Sequence, residues 1–299
     1  MSVSVRIFGG PLTGYATLAR AAEDAGFERI WVPDHVVAMS DVATVYPYSD
    51  TGRPRFVGET PFGDPLVLLS HLAAATTTIQ FGVGVYVLPL RHPLHAARQL
   101  LTLQELSGGR LTLGVGVGWK QEEFVALGAE FGRRGARAEE AVAAMRAVWS
   151  GDPVAFDGDH HAFAELQMSP PLSHPIPVLW GGSGEVSVRR AVRMCEGFYG
   201  PPGTPEATAQ LAARIDEELD RVGRERSTFR LVARCPEPYR ADGVLGLLDL
   251  GVDEVVVNLP RDLDEAGEQI EWLHATTAGL REAGVPLSPQ EGPSQPARP

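Results

Sequence analysis

Cysteine and long apolar runs are scarce in this chain of 299 residues. Its two cysteines, Cys195 and Cys235, cannot form a disulfide framework, and neither has a metal-ligand neighbour at CxxC spacing. No window reaches the ~20 consecutive apolar residues of a transmembrane helix. The first residues, MSVSVRIFGG, lack the basic start and long apolar stretch of a signal peptide. These absences predict two buried, inert thiols and a cytoplasmic protein without a membrane segment.

Positive charge is also in short supply. Lysines and arginines number 26 against 38 aspartates and glutamates, so the formal net charge is -12. This balance argues against general nucleic-acid binding, which depends on basic patches that neutralise phosphates. The excess of acidic residues is explained by solubility alone. A metal site is not predicted either, because the adjacent His160 and His161 would need further convergent ligands, and the sequence positions none.

Apolar runs with strand character alternate with helical patterns along the chain. The predicted strands are 2–9, 27–33, 78–90, 110–119, 176–182, 197–200, 229–235 and 253–260. The predicted helices are 13–25, 65–77, 93–106, 136–149, 184–196, 204–222, 241–250 and 263–283. Such alternation indicates βαβ units, and the length suits a (β/α)8 barrel, which typically needs ~250 residues. An open doubly wound sheet is the competing architecture, but no GxGxxG motif follows the first strand.

Two stretches depart from this alternation. Residues 151–175 have the pattern of a β-hairpin inserted after the fourth βα unit. The end of the chain, PLSPQEGPSQPARP, is rich in proline and serine and is typical of a flexible tail. Because no linker divides the rest, we expect one barrel domain over residues 1–285, followed by a tail at 286–299.

The residues that follow the predicted strands are the candidates for chemistry, because barrel active sites lie at the carboxyl ends of the strands. Asp34 and His35 follow the second strand, where a histidine can transfer a proton near neutral pH; the alternative is a histidine that only caps a turn. The run GGSGE precedes a helix, and glycine amides at a helix start favour an anion. Three arginines follow it as candidate counter-charges: Arg189, Arg190 and Arg193. Equally, the run is a tight turn with Ser183 as the N-cap, and the arginines form a solvated face.

Glycines recur at alternate positions near the ends of two strands. They are Gly82, Gly84, Gly114, Gly116 and Gly118. A glycine in a strand makes room for a flat ring or a neighbouring backbone. The alternative is that small residues taper the barrel interior.

The segments IWVPDH, GVYVLPLRHPLHAARQLLTLQELSGGRLTLGVGVGWKQEEFVALG and IPVLWGGSGE, in this order, resemble the luciferase-like monooxygenase superfamily. The resemblance is greatest to its branch of oxidoreductases that depend on the deazaflavin coenzyme F420. It extends from about residue 3 to residue 260, and it includes the hairpin insertion. The family implies a small-molecule substrate, and its members often form homodimers.

The resemblance also implies roles for individual residues. His35 corresponds to a histidine at the reacting face of the cofactor. Gly84 and Val85 correspond to a bulge behind the deazaflavin ring. Contacts with the cofactor are implied for Asp34, Gly84, Val85, Val87, Val117, Gly118, Glu122, Gly181, Gly182, Ser183 and Gly184, of which the last four form a phosphate-binding loop.

Two positions depart from the family pattern. Trp119 stands where sugar-phosphate members carry a glutamate proton donor, so we assign Trp119 with His35 to the catalytic centre and leave the proton donor open. Met39 replaces a tryptophan of the family. We therefore expect a fairly apolar substrate instead of a sugar phosphate. Five aromatic residues are candidates for its pocket or for the core: Tyr46, Tyr48, Phe56, Trp119 and Trp180.

The sequence thus predicts a hydride transfer between F420 and a small organic molecule. Two alternatives stay open. One is a monooxygenase that uses reduced FMN on the same fold, and the other is a flavin-binding protein without catalytic activity. None of these three hypotheses includes a metal.

Overall fold

Eight parallel strands close into a barrel. The computed structural model describes residues 1–287 except 38, 40, 41, 48, 50, 55–59, 238, 262, 264 and 286. The barrel strands are β1 (Ser2–Arg6), β2 (Arg29–Val32), β3 (Gln80–Val87), β4 (Leu111–Gly116), β7 (Val178–Gly181), β8 (Gly197–Pro202), β9 (Arg230–Arg234) and β10 (Glu254–Asn258), while β5 (Val154–Asp157) and β6 (Ala162–Leu166) pair separately. Around the barrel the order is β1-β10-β9-β8-β7-β4-β3-β2, and β2 pairs with β1 to close it. The predicted (β/α)8 barrel is confirmed.

Helices separate the barrel strands on its outer side. They are α1 (Tyr15–Ala25), α2 (Pro65–Ala75), α3 (Pro93–Ser107), α4 (Gln121–Ala126), α5 (Arg134–Trp149), α6 (Glu185–Met194), α7 (Pro205–Val222), α8 (Ala241–Leu248) and α9 (Ala266–Glu282). The helix ends follow local chemistry. Asp64 caps α2 by accepting bonds from two backbone amides, and Gly26 ends α1 in the left-handed region at φ 92°.

The insertion after the fourth βα unit is a hairpin, as predicted. Strands β5 and β6 pair antiparallel, with Phe156 opposite Phe163. The short helix α4 was not predicted, since six residues are too few to show a helical period. The proposed tail lies almost entirely outside the described residues. Within the described part of the chain, no helix is long and apolar enough to cross a membrane.

Side chains that point into the barrel form layers, because strand residues alternate between its inner and outer faces. The lowest layer is polar and centres on Glu254, which is fully buried. Its carboxylate accepts hydrogen bonds from Ser4 and Trp31 and forms ion pairs with Arg29 and Arg230. Above it lies an apolar layer that is separate from the main core: Trp31, Leu179, Tyr199, Val232 and Val256, with Val85 against it.

The upper part of the barrel is shaped by the alternating glycines. The Gly84–Val85 peptide bond is cis, and the pairing of β3 with β4 shifts between Val83 and Tyr86. A Cβ atom at Gly116 would lie 2.3 Å from Cγ2 of Val85, and one at Gly181 would lie 2.5 Å from its Cγ1. These glycines therefore make room for the side chain of Val85.

Candidate active site

A cavity of about 270 Å³ opens at the carboxyl ends of the barrel strands. It is lined by twelve of the thirteen predicted site residues: Asp34, His35, Gly84, Val85, Val87, Val117, Gly118, Trp119, Gly181, Gly182, Ser183 and Gly184. The strand ends thus bring together segments that are up to 150 residues apart in the chain. A second hollow, of about 480 Å³, lies at the opposite end of the barrel around Met1, Phe229 and Arg230, far from these residues.

His35 is held at the cavity wall by a buried acid. Its Nδ1 lies 2.8 Å from Oε2 of Glu123, whose side chain is 2% exposed. The other oxygen of Glu123 accepts hydrogen bonds from the backbone amides of Val36 and Val37, at 2.6 and 3.2 Å. With Nδ1 donating to the carboxylate, the neutral imidazole has its acceptor at Nε2. Such an arrangement fixes both the tautomer and the orientation of the ring.

The surroundings of Glu123 keep it ionised. Burial alone would raise the pKa of its carboxyl, but the hydrogen bond from His35 and the amide of Val36 bring this pKa below its usual value. Lys120 adds positive charge, with Nζ 3.8 Å from Oε2 of Glu123 and 2.8 Å from the carbonyl oxygen of Val37. Glu123 was not predicted as a site residue, because nothing in the sequence distinguishes it from the adjacent Glu122.

Glu122 is the one predicted site residue that does not line the cavity. Its carboxylate points the other way and accepts hydrogen bonds from the amides of Ala43 and Thr44 and from the Thr44 hydroxyl. The side chain lines a separate surface hollow together with Met39. Because neighbouring residues of a helix project about 100° apart, only Glu123 faces His35. Glu122 instead holds a loop beside the cavity.

Asp34 lines the cavity and also ties two strand ends together. Its carboxylate accepts a hydrogen bond of 2.8 Å from the amide of Val87 and a bidentate pair from Arg91, at 2.6 and 2.8 Å. Burial would lower the pKa of Arg91, but the adjacent Asp34 carboxylate raises it above the usual value. A buried bidentate pair of this kind fixes the geometry of both partners. Asp34 therefore positions the end of β3 at the cavity.

The aromatic wall differs from the predicted set. Trp119 lines the cavity and packs edge-on against His35 and Tyr46, with ring centroids 6.2 and 5.0 Å apart. Phe62, which was not predicted, contacts His35 edge-on at 5.4 Å. Trp180 is fully buried in the outer core, because it follows inward-facing Leu179 and so points out of the barrel. Tyr48 and Phe56 lie outside the described residues.

The glycine loop 181–184 enters the cavity ahead of α6. Gly182 has φ 145°, and a Cβ there would lie 2.4 Å from Oγ of Ser187, which also lines the cavity. The three arginines proposed as counter-charges lie elsewhere: Arg190 and Arg193 pair with Glu139, and Arg189 pairs with Glu185. They form a partly solvated face, which was the alternative interpretation. A different residue, Arg134, brings positive charge to this side of the cavity.

The opposite side of the cavity carries two further arginines. Arg6 ends β1 and Arg234 ends β9, and both line the cavity. Burial, together with the nearby charge of Arg234, lowers the pKa of Arg6 to about 10. Neither residue was predicted as part of the site. The alternation of strand residues was the available signal, because Arg6 lies two residues after Ser4 and Arg234 two residues after Val232, and residues two apart share one face of a strand.

Comparison with known proteins identifies the family. A model described as luciferase-like monooxygenase matches residues 6–237. An uncharacterised protein of Mycobacterium tuberculosis is 34% identical over 245 residues, which are 82% of this chain and 84% of that protein. An F420-dependent glucose-6-phosphate dehydrogenase of Intrasporangium calvum is 32% identical over 233 residues, covering 74% of this chain and 64% of the dehydrogenase.

Solved structures share the fold at low sequence identity. An F420-dependent secondary alcohol dehydrogenase in complex with an F420–acetone adduct has a TM-score of 0.74 and 15% identity, over 94% of this chain and 100% of the other. A riboflavin lyase with modified FMN and riboflavin has a TM-score of 0.78 and 15% identity, over 98% and 93% of the two chains. The family model and the sequence relatives carry the assignment. As its motifs predicted, the chain belongs to the luciferase-like monooxygenase family.

Proposed function

We propose that this protein is an oxidoreductase that transfers a hydride between the deazaflavin coenzyme F420 and a small organic substrate. The observation that carries the proposal is the position of the His35–Glu123 pair at the wall of a cavity whose neighbouring wall is built of glycine and valine backbone. The F420-dependent relative from Intrasporangium calvum supports the choice of cofactor. The proposed activity needs a ring site, an anion site and a group that handles a proton.

The ring site would be the side of the cavity formed by the ends of β3, β4 and β7. We name it the glycine half; its residues are Gly84, Val85, Gly116, Val117, Gly118, Gly181 and Gly182. Glycine is needed at three of these positions because the side chains of Val85, Val87 and Phe124 pack there: Cβ atoms at Gly116, Gly118 and Gly181 would come within 2.3–2.7 Å of them. A wall of glycines and small apolar side chains suits a flat heterocycle. Val85, supported by those glycines, would lie beneath the ring.

The anion site would be the loop 181–184 at the start of α6. Backbone amides and the partial positive charge of a helix N-terminus attract phosphate. Arg134 adds a formal charge on the same side: its Nε donates to the carbonyl oxygen of Gly118 at 2.9 Å, and it lines the cavity. These groups would hold the phosphate-bearing chain of the coenzyme. In this proposal Arg134 of α5 supplies the counter-charge that the sequence analysis had assigned to three arginines of α6.

F420, when bound, supplies or accepts a hydride at C5 of its deazaflavin ring. His35 would take up or release the accompanying proton at Nε2, since Glu123 fixes the proton at Nδ1. The ionised Glu123 would stabilise the imidazolium that forms when His35 accepts the proton. Trp119 and Phe62, both edge-on to His35, would exclude water from this part of the cavity.

An anaerobic assay tests this proposal. The full-length protein is mixed with reduced F420 and a panel of small ketones, aldehydes and unsaturated acids, and in the reverse direction with oxidised F420 and alcohols, while the visible absorbance of the oxidised deazaflavin is followed. We expect turnover with at least one member of the panel. His35→Ala should lower kcat by about 10²–10⁴-fold while F420 still binds. No turnover above the protein-free rate, or normal turnover by His35→Ala, would contradict the proposal.

A monooxygenase that uses reduced FMN is the second candidate. It is favoured by the structural likeness to the riboflavin lyase solved with modified FMN and by a glycine half made mainly of backbone, which does not distinguish a flavin from a deazaflavin. The same assay separates the candidates when reduced FMN and oxygen replace F420. Substrate-dependent oxygen consumption with FMN, and none of the F420 reactions, would favour the monooxygenase.

A further inference from the structure

The half of the barrel mouth across from the glycine half has buried polar atoms that lack partners. Consecutive strands around the barrel place one such atom each: Nε of Arg6 on β1, Oδ1 of Asn258 on β10, Nε of Arg234 on β9 and the hydroxyl of Tyr199 on β8. None of them has a hydrogen-bond partner among the residues that the structure describes. We name this group the cationic half. Of these four residues, Arg6 and Arg234 line the cavity, and a buried polar atom without a partner costs free energy that a hydrogen bond to a ligand would recover.

The charges in this half are also unbalanced. Neither Arg6 nor Arg234 has a carboxylate within ion-pair distance in the described part of the chain. The two guanidinium groups lie close enough for each to affect the other, which is one reason why the pKa of Arg6 falls. Glu237 partly opposes this lowering of the pKa of Arg6, and its Oε1 accepts a hydrogen bond from Nδ2 of Asn258. Because the guanidinium group matches the geometry of carboxylate and phosphate, two arginines at one end of the barrel suit an anion between them.

Tyr199 connects this half to the proposed ring site. A Cβ at Gly84 would lie 2.5 Å from the Tyr199 hydroxyl. The side chain of Tyr199 therefore extends across the barrel interior from β8 to β3. Its hydroxyl is therefore placed between the arginines on one side and the glycine half on the other. His35 follows β2, which lies between β1 and β3 in the barrel order. A molecule anchored at Arg6 would thus extend toward both His35 and the ring site.

We propose that the cationic half binds the anionic group, a carboxylate or a phosphate, of the substrate. This inference rests on the proposed function, because it gives the glycine half to the cofactor and the remaining half to the substrate. It replaces the expectation of a fairly apolar substrate with that of a small molecule that has an anionic end at Arg6 and Arg234 and its reacting carbon toward His35. The guanidinium groups of Arg6 and Arg234, which line the cavity, would donate hydrogen bonds to the oxyanion.

The test is the binding of simple anions to the full-length protein, measured by calorimetry with F420 present and absent. The probes are inorganic phosphate, benzoate and the neutral analogue benzamide. We expect phosphate, benzoate or both to bind, and benzamide to bind at least tenfold more weakly than benzoate if the carboxylate is the recognised group. Tight binding of phosphate alone, with F420 present to occupy the loop 181–184, would assign the site to a phosphate ester. Failure of both anions to bind at millimolar concentration would overturn the proposal, whatever F420 does.

Two variants, Arg6→Gln and Arg234→Gln, identify the site. Each should weaken anion binding at least tenfold and leave the melting temperature unchanged or higher, because removing one of two adjacent like charges relieves repulsion. Arg221→Gln, which removes an exposed arginine of α7 that pairs with Glu218, is the matched control and should bind anions like the wild type. If the variants lose affinity for F420 and keep it for the anions, the cationic half belongs to the cofactor and this inference fails, while the proposed function stands. A lower melting temperature with unchanged anion binding would also overturn it.

Discussion

Nδ1 of His35 lies 2.8 Å from Oε2 of Glu123, an acid 88 residues further along the chain. The same carboxylate holds the backbone amides of Val36 and Val37 through its other oxygen. One buried glutamate therefore orients both the imidazole and the loop that carries it. In the proposed reaction, Glu123 is a positioning residue and His35 is the group that handles the proton.

Glu123→Gln should impair turnover more than binding. The glutamine amide oxygen can still accept from Val36, but its NH2 group cannot accept the Nδ1 proton of His35. We expect kcat to fall by up to about 10⁴-fold, because the amide favours the wrong tautomer of the imidazole, and the pH profile of kcat to change shape. Steady-state kinetics over a pH series measures both effects. Glu122→Gln, which alters the neighbouring acid outside the cavity, should change kcat much less, and equal losses in the two variants would contradict the role of Glu123.

Gly116→Ala should destabilise the barrel through one contact. The new methyl group would overlap Val85, whose Cγ2 lies 2.3 Å from the position of the added Cβ. Overpacking of this kind costs about 1–3 kcal/mol of unfolding free energy. In the double variant with Val85→Ala, the clash is removed. Its loss of unfolding free energy should therefore be about 0.5–3 kcal/mol smaller than the sum of the losses in the two single variants. Urea unfolding of the four proteins of this cycle gives the coupling, and strict additivity would argue against the contact.

Gly182→Ala tests the loop ahead of α6. At φ 145° a residue with a Cβ is strained, and this Cβ would also meet Ser187. We expect a loss of about 1–3 kcal/mol in unfolding free energy. Gly184 offers a matched control, since it has φ -95° and no atom within 4 Å of an added Cβ. Thermal unfolding should place Gly184→Ala near the wild type, and similar destabilisation of both variants would contradict this geometry.

Glu254 should make the barrel sensitive to acid. Burial would raise the pKa of its carboxyl, but the charges of Arg29 and Arg230 and the bond from Ser4 lower it below 4.5. A carboxyl with a depressed folded-state pKa contributes its stabilisation fully above the unfolded value and loses it as the pH falls through the folded value. Glu254→Gln should cost about 3–5 kcal/mol at pH 7.

The difference in unfolding free energy between wild type and Glu254→Gln should therefore shrink as the pH falls below 4.5. Denaturant unfolding of both proteins at several pH values measures it, and the other carboxyl groups cancel in the comparison. A difference that stays constant through this range would show that Glu254 does not titrate in the folded protein as proposed.

The fold could be read from the sequence because long apolar runs and helical periods alternate in it. Strand ends then brought His35, Gly84 and the loop 181–184 to one place, as the carboxyl ends of parallel strands must. The choice between Glu122 and Glu123 depended on the start of α4, and a helix of six residues leaves no periodicity to locate it.

Other features of the site needed the pairing of strands. Trp180 was a candidate for the pocket or for the core, and the choice could not be made from the sequence because the inner or outer face of a strand residue is set by register. The alternation of strand residues between the two faces also places Arg6 and Arg234 inside the barrel. A net charge of -12 does not predict a positively charged site there. Their mutual proximity depends on the closure of β1 through β10 onto β9, which no local pattern contains.

The most direct test of the central claim is an equilibrium titration of the full-length protein with F420 and, separately, with FMN. The account predicts that F420 binds about tenfold or more tightly than FMN, a difference of about 1.4 kcal/mol or more. It also predicts that F420 binding is weakened in Gly182→Ala. Tight binding of FMN with no measurable binding of F420 would contradict the assignment of a deazaflavin-dependent hydride transfer.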